Sequence, residues 1–287
     1  MRVCAIQLNL KHCADFESFK NYLQREVFDN LLVVPDLLVF PENINFCLLF
    51  AKKYETFESK SFKNFIESSF DKIIRLLDLS FLLRWFDINN QRTIIISAFS
   101  YFAKKYNTNI IVGTYYHTKD GKIYNSVSMI DSLGFFLGEA HKKKLTGFEK
   151  ALKLGVQDSP VVIESLVGKI GLSICYDINY PEYIKSICDL GAEIIICPSN
   201  GWRPFPGYPY DPKKEKPHID RAKENNVIVI RPYCAGWLFP LYFQGHTEIV
   251  DEKGNVVGKS YTKNKTEFVV AEINKEVWQF HQANLSS

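Results

Sequence analysis

Long apolar runs are missing from this sequence. No stretch approaches the roughly 18 residues that a membrane-spanning helix requires, so no helical span is expected. No secretory leader is expected either: the first residues, MRVCAIQLNL, alternate like a core strand and carry neither a long apolar segment nor a small-residue cleavage site. Charge of one sign is scarce. The formal net charge is only +3, with no basic block beyond Lys142-Lys143-Lys144, which forecasts neither a nucleic-acid partner nor a membrane surface. No Cys-x-x-Cys spacing occurs among the seven cysteines (Cys4, Cys13, Cys47, Cys175, Cys188, Cys197, Cys234), and the six histidines are scattered, so the spacing offers no zinc site. These gaps lead to the expectation of a cytoplasmic protein whose thiols stay reduced.

What is present suits a globular protein with a large core. The chain is 46% hydrophobic and 23% charged and shows no linker composition, so a single domain over residues 1–287 is expected. Strand-like runs begin at Val3, Leu37, Asn109, Asn125, Lys169, Ala192, Val227, His246 and Glu267, and many are β-branched and apolar throughout, as in strands covered on both faces. Helical patterns fall at Phe16 to Asn30, Ser61 to Leu77, Ser97 to Tyr106, Pro181 to Leu190 and Pro217 to Asn226. Asp120-Gly121 and Glu252 to Asn255 read as hairpin turns. The segment from Leu76 to Ile96 has no clear period and reads as a helix end followed by an irregular excursion. The class is α/β, with no solenoid repeat.

Four polar residues stand where the pattern predicts burial or a strand end. Glu42 terminates the apolar run LLVVPDLLVFP, Lys142 lies in GFFLGEAHKKKL, Glu149 follows in LTGFEK, and Cys175 ends KIGLSIC just before a turn and a proline-led helix. Each has a plain alternative: a helix cap for Glu42, a solvated edge for the lysines, a surface charge for Glu149, a core thiol for Cys175. Together they supply the parts of a thiol acyl-transfer site. A cysteine attacks as thiolate, a carboxylate in an apolar site can move its proton, and an ammonium can stabilise the oxyanion with help from backbone N–H groups at the turn. If the lysine run is a strand, Lys142 and Lys144 share one face and Lys143 takes the other.

At this level of detail the sequence resembles the nitrilase superfamily of carbon–nitrogen hydrolases. The resemblance runs through VCAIQLN, VFPEN, GEAHKKKL with Glu149, GLSICYDINYPE, GAEIIICPSNGW, RAKENNVIVI and FQGHTEIVDEKGNVV. It implies a four-layer αββα sandwich, a homodimer or higher homo-oligomer, no cofactor and no metal. It also implies a Glu-Lys-Cys site at Glu42, Lys142 and Cys175, with Glu149 beside the lysine. Aligning Leu145 with the leucine of the family's lysine run selects Lys142 among the three. The segment from Leu76 to Ile96 looks longer than the family needs.

The reaction implied is hydrolysis of a small-molecule amide through a cysteine thioester, giving a carboxylate and ammonia or an amine. Tyr176-Asp177 after the cysteine is similar to the amidase branches, whereas true nitrilases tend to carry Trp-Glu there. N-carbamoyl amidohydrolysis, nitrile hydrolysis, acyl transfer to an acceptor other than water, and a catalytically idle scaffold are the alternatives. Tyr176, Asn200 and Trp202 are expected to meet substrate, with two loops, one from Arg203 and one from Cys234 to Phe243, completing the pocket.

Overall fold

The computed structural model describes residues 1–49, 88–203, 216–238 and 241–273. Its strands, in chain order, are β1 (Arg2–Asn9), β2 (Leu37–Val39), β3 (Asn109–Lys119), β4 (Lys122–Ile130), β5 (Phe136–His141), β6 (Val161–Ser165), β7 (Gly168–Leu172) and β8 (Ile194–Ile196). They continue with β9 (Trp202–Arg203), β10 (Ile228–Arg231), β11 (Cys234–Leu238), β12 (Leu241–Phe243), β13 (Glu248–Val250), β14 (Val256–Lys259) and β15 (Glu267–Glu272). Two sheets result. One has the order β5-β4-β3-β2-β1-β11-β12-β9, with β15 also on β1, and the other runs β14-β13-β10-β8-β7-β6.

Period-2 alternation explains how the sheets stack. Val3 and Ala5 of β1 face the second sheet, while Cys4, Ile6 and Leu8 face the helices outside. The second sheet mirrors this: Ile194 and Ile196, Ile228 and Ile230, and Ile249 point inward, whereas Ile195, Val229 and Val250 point outward. Apolar residues on both faces of a strand require a layer on each side. Helices Phe16–Glu26 and Ile88–Tyr106 cover the first sheet, and Pro181–Cys188 and Pro217–Asn225 cover the second. The architecture is the αββα sandwich that the resemblance implies.

Local chemistry sets the helix ends. Asp15 caps the first helix through the Ser18 N–H at 2.8 Å while the Ser18 hydroxyl accepts from the Asp15 N–H. Proline occupies the first turn of both helices on the second sheet. Asn226 closes the last of them in the left-handed conformation that asparagine tolerates.

Several expectations change. The excursion read as irregular is helical from Ile88: Ile88, Gln91, Ile95, Ala98, Phe99 and Phe102 are buried at 3.6-residue spacing, but the β-branched run Thr93 to Ile96 hid that period. The first helix ends at Glu26 and is followed by a 3-10 turn, Phe28–Asn30. The segment from Cys234 to Phe243, read as a loop, contributes β11 and β12, which pair antiparallel. The strand read as KIGLSIC stops at Leu172. The expected helix Ser61 to Leu77, and the Arg203 loop from residue 204 onward, lie outside the described residues.

Candidate active site

Three of the expected site residues, Glu42, Cys175 and Asn200, arrive beyond the carboxyl ends of parallel strands, the end at which α/β sheets build sites. β2 delivers Glu42, β7 delivers Cys175 and β8 delivers Asn200. The Glu42 turn is pinned by β3. Thr114 accepts the Asn43 N–H through its hydroxyl at 2.9 Å and the Ile44 N–H through its carbonyl at 2.8 Å. Gly113 beside it has φ +83°, and a Cβ there would stand 2.1 Å from the Pro41 carbonyl oxygen, so only glycine lets the two segments approach.

Cys175 opens a 3-10 turn, Cys175–Asn179, with φ +46°, a left-handed conformation costly for a side chain of its size. The neighbouring strand holds it there. Beyond the regular β7–β8 pairing, Ser173 N–H donates to the Ile196 carbonyl and Cys175 N–H to the Pro198 carbonyl, both at 2.9 Å. The result is a sharp strand-to-turn corner that presents the thiol at a pocket.

Lys142 lies just past β5 and is 1% exposed. Its Nζ donates to Glu42 Oε1 and to Glu149 Oε1, each at 2.8 Å. Asn125 of β4 donates to the same two oxygens at 3.0 Å. Glu149 also caps the short helix Gly147–Ala151, accepting from the Thr146 N–H and hydroxyl through Oε2 at 2.9 Å. Glu42 Oε2 is buried without a hydrogen-bond partner among the described residues, and the Cys175 thiol lies against this carboxyl.

Electrostatics separate the two carboxyls. Burial raises the Glu42 pKa, and the Lys142 charge only partly offsets it. Burial works the same way on Glu149, but there the Lys142 charge and the donors from Lys142, Thr146 and Asn125 prevail and the pKa falls. Burial opposes the Lys142 ammonium, yet Glu42, Cys175 and Glu149 together hold its pKa well above the usual lysine range. Burial, then the Glu42 charge, pushes the Cys175 thiol up. Burial thus favours the neutral thiol at Cys175, and the Glu42 carboxyl lies against it.

The lysine run divides cleanly, though not as a continuing strand would divide it. β5 ends at His141, so the alternation expected to put Lys144 with Lys142 does not reach Lys144. Lys143 Nζ donates to the Asp158 carbonyl, and Lys144 Nζ lies over the Tyr180 ring at 4.3 Å and 3.5 Å from Glu182. Asn200 and Trp202 line the pocket, with Phe46, Tyr116, Phe148 and Leu241 as its apolar walls. Tyr176 is 38% exposed and packs edge-on against Tyr180, outside that lining. Sequence reasoning passed over Asn125. Its only signal was an asparagine heading the strand run NSVSMID, a residue strands usually exclude.

Donor atoms of His117, Glu139 and His141 lie within 4.8 Å of one another, a grouping that the scattered histidines gave no sign of. All three are already engaged. The Ser126 hydroxyl bridges His117 Nε2 at 2.9 Å and His141 Nδ1 at 2.7 Å, and Glu139 accepts from Arg92 at 3.1 Å and from the Tyr115 hydroxyl at 3.2 Å. With a guanidinium seated on its carboxylate, the set is a hydrogen-bond network rather than a cation cradle.

A paired strand corner and carboxyl turn, with a buried ammonium between two glutamates, define the class. The carbon-nitrogen hydrolase family model matches residues 33–282, and the chain belongs to that family. It is 30% identical over 199 residues to the probable hydrolase YhcX of Bacillus subtilis, covering 69% of this chain and 34% of that protein. It is 30% identical over 167 residues to the deaminated glutathione amidase of Synechocystis, covering 54% of this chain and 59% of that one. The chain thus spans about a third of the first relative and under two thirds of the second. The fold is shared with the amidase from Nesterenkonia sp. AN1, solved with acrylamide added at its active-site cysteine: TM-score 0.65, 17% identity, 100% of this chain and 98% of that one. Among the described residues no helix is long and apolar enough to cross a membrane.

Proposed function

We propose that this chain hydrolyses a small-molecule amide through a thioester on Cys175. The observation that carries the reading is the Lys142 ammonium, 2.8 Å from both Glu42 and Glu149, in a pocket that also presents the Cys175 thiol to Glu42. Relatives and a structural neighbour bearing the name amidase support the same reading.

The chemistry follows from the donors and acceptors. An ammonium has three N–H groups; two are committed to the glutamates, and the third is left for substrate. Glu42 takes the thiol proton as Sγ bonds to the amide carbon, and the carbonyl oxygen gains the negative charge. The third Lys142 N–H and the Tyr176 backbone N–H stabilise that oxyanion. Collapse breaks the C–N bond as Glu42 returns the proton to the departing nitrogen, leaving a thioester. Water then attacks with Glu42 as base, the C–S bond breaks, and the thiol recovers its proton while a carboxylic acid departs. Glu149, held ionised, keeps Lys142 charged and aimed. Because the resting thiol is not ionised, proton transfer and attack are coupled, which explains why base and nucleophile face each other.

The apolar walls favour an uncharged acyl group. Ammonia release measured over a panel of small aliphatic amides, ω-amides of dicarboxylates, N-carbamoyl amino acids and nitriles tests the reading. Turnover of neutral amides that disappears in Cys175→Ala is expected. Faster release from the matching nitriles, turnover surviving in Cys175→Ala, or silence across the panel with an iodoacetamide-unreactive Cys175 would each sink it.

A further inference from the structure

Asp177 sits two residues past Cys175, is buried, and has no place in the steps above. Its Oδ2 accepts the Ile174 N–H at 2.9 Å, a local bond across the corner that holds the nucleophile. Its Oδ1 accepts the Lys144 N–H at 2.7 Å and the Lys143 N–H at 3.2 Å, and Oδ2 takes a longer bond from Lys143 at 3.4 Å. These amides belong to the segment that leaves Lys142, more than 30 residues earlier in the chain. A residue serving only its own turn would stop at the Ile174 bond, which a neutral acceptor makes as well. Burying a charged group is costly, and burial pushes Asp177 up to about 7 against the pull of the Lys142 charge and then of its backbone donors. An ionised acceptor shared among backbone N–H groups makes the stronger, shorter kind of hydrogen bond.

We propose that Asp177 is a positioning residue that fastens the Cys175 corner to the Lys142 segment and fixes the distance between nucleophile and oxyanion donor. Both ends of that distance are otherwise set by different sheets: Lys142 follows β5 of the first, and Cys175 follows β7 of the second. Two layers in a sandwich meet through side chains and can slide by fractions of an ångström, and misplacement of about 1 Å can cost roughly a hundredfold in rate. The carboxylate binds main chain on both sides, so it ties the layers at the reacting groups themselves.

The inference rests on the thioester reading, and the test keeps the two apart. Asp177→Asn keeps one acceptor oxygen but turns an NH2 group toward a backbone N–H, so one side of the clasp opens. Asp177→Ser keeps a short acceptor near Ile174 and cannot reach the lysine amides. Val250→Ala, in the outer core of the second sheet, supplies a destabilised control outside the pocket lining. We expect both Asp177 variants to fold, to lose roughly ten- to a hundredfold in kcat, and to hold KM for the amide within about twofold. The rate constant for Cys175 alkylation by iodoacetamide should shift in both, while Val250→Ala with an equal loss of Tm keeps its kcat. A kcat within about twofold of wild type, a loss carried by KM, or an equal kcat loss in Val250→Ala overturns the proposal alone. So does failure of both variants to fold, since Asp177 would then hold the fold rather than the site. Wild-type protein silent on every amide, or active without Cys175, removes the thioester reading and this proposal with it.

Discussion

Asn125 and Ser126 are neighbours on β4, and His141 and Lys142 are neighbours at the end of β5. Successive residues on a strand face opposite ways, so these two pairs build two polar clusters back to back. Behind the sheet, under helix Ile88–Tyr106, Ser126 joins His117 to His141 and Glu139 receives Arg92 and Tyr115. In front, Asn125 and Lys142 share the oxygens of Glu42 and Glu149. In the rear cluster both histidines, Glu139 and Tyr115 are engaged, with the histidines kept neutral chiefly by burial, and Arg92 Nε is its one buried polar atom without a hydrogen-bond partner among the described residues. The front cluster leaves Glu42 Oε2 and Asn125 Oδ1 buried and without a hydrogen-bond partner among the described residues, beside a pocket and a thiol on strained backbone. Two clusters made from adjacent residues thus differ in one respect that matters for chemistry: the rear one has its carboxylate and histidines engaged outside that pocket's lining, whereas the front one holds acceptor oxygens in reserve beside it.

Removing the central cation breaks the comparison most severely. Lys142→Ala leaves two buried carboxyls without their counter-charge, so we expect roughly a hundredfold or greater loss in kcat and about 3–5 kcal/mol of stability, read by steady-state kinetics and urea unfolding. The matching deletion behind the sheet, Arg92→Ala, touches a partly exposed pair and should cost about 1 kcal/mol or less with turnover kept. Equal effects at the two positions would abolish the distinction.

Asn125→Ala comes next. It removes a donor shared by Glu42 and Glu149 without removing charge, and hydrogen bonds to charged groups are worth about 1.5–3 kcal/mol. We expect roughly a tenfold fall in kcat and an acid limb of the pH–rate profile moved upward, because losing that donor raises the pKa of a base that must be ionised to act. An unmoved acid limb would show that Asn125 only fills space.

The rear cluster should register in stability rather than in rate. Burial lowers the His117 pKa from 6.5 to about 4, so over that window the unfolded chain binds a proton that the folded chain refuses. Stability from this group is therefore complete above about 6.5 and drains away as pH falls toward about 4. In His117→Asn the loss of urea midpoint between neutral and mildly acidic pH should shrink relative to wild type; an unchanged loss would assign the acid sensitivity elsewhere. The smallest effect belongs to Lys144→Ala, whose ammonium rests on Tyr180 and Glu182 outside the pocket. Its kcat and KM should stay within about twofold of wild type, and a large kcat loss would move the oxyanion role away from Lys142.

Much of this molecule was legible in the chain because the relevant physics is local. Apolar β-branched runs predict strands covered on both faces, since period-2 alternation and its absence are written residue by residue. Proline-led helix starts and the Asp-Gly turn are equally local. Glu42 and Cys175 drew attention for the same reason, each being a reactive group at the end of an apolar run. Strand ends were harder. That β5 stops at His141 and β7 at Leu172 depends on which neighbour accepts the next N–H, and the acceptors lie far away in sequence.

By itself, the sequence determined the α/β class, the apolar layers and a short set of candidate reactive groups. The resemblance implied that Glu42, Lys142, Glu149 and Cys175 share a site, and only the tertiary structure decided which of their atoms meet and what else joins them. Nothing in LTGFEK shows that Glu149 folds back 2.8 Å from Lys142, nor in NSVSMID that Asn125 spans two glutamates. Asp177 reads only as part of the Tyr176-Asp177 pair similar to the amidase branches until the amides that follow the other sheet's β5 are seen on its oxygens. The physical reason is one of range: backbone preference and burial act between neighbours in the chain, whereas a pKa, a cavity and a hydrogen bond between sheets depend on distances that exist only after the layers have packed.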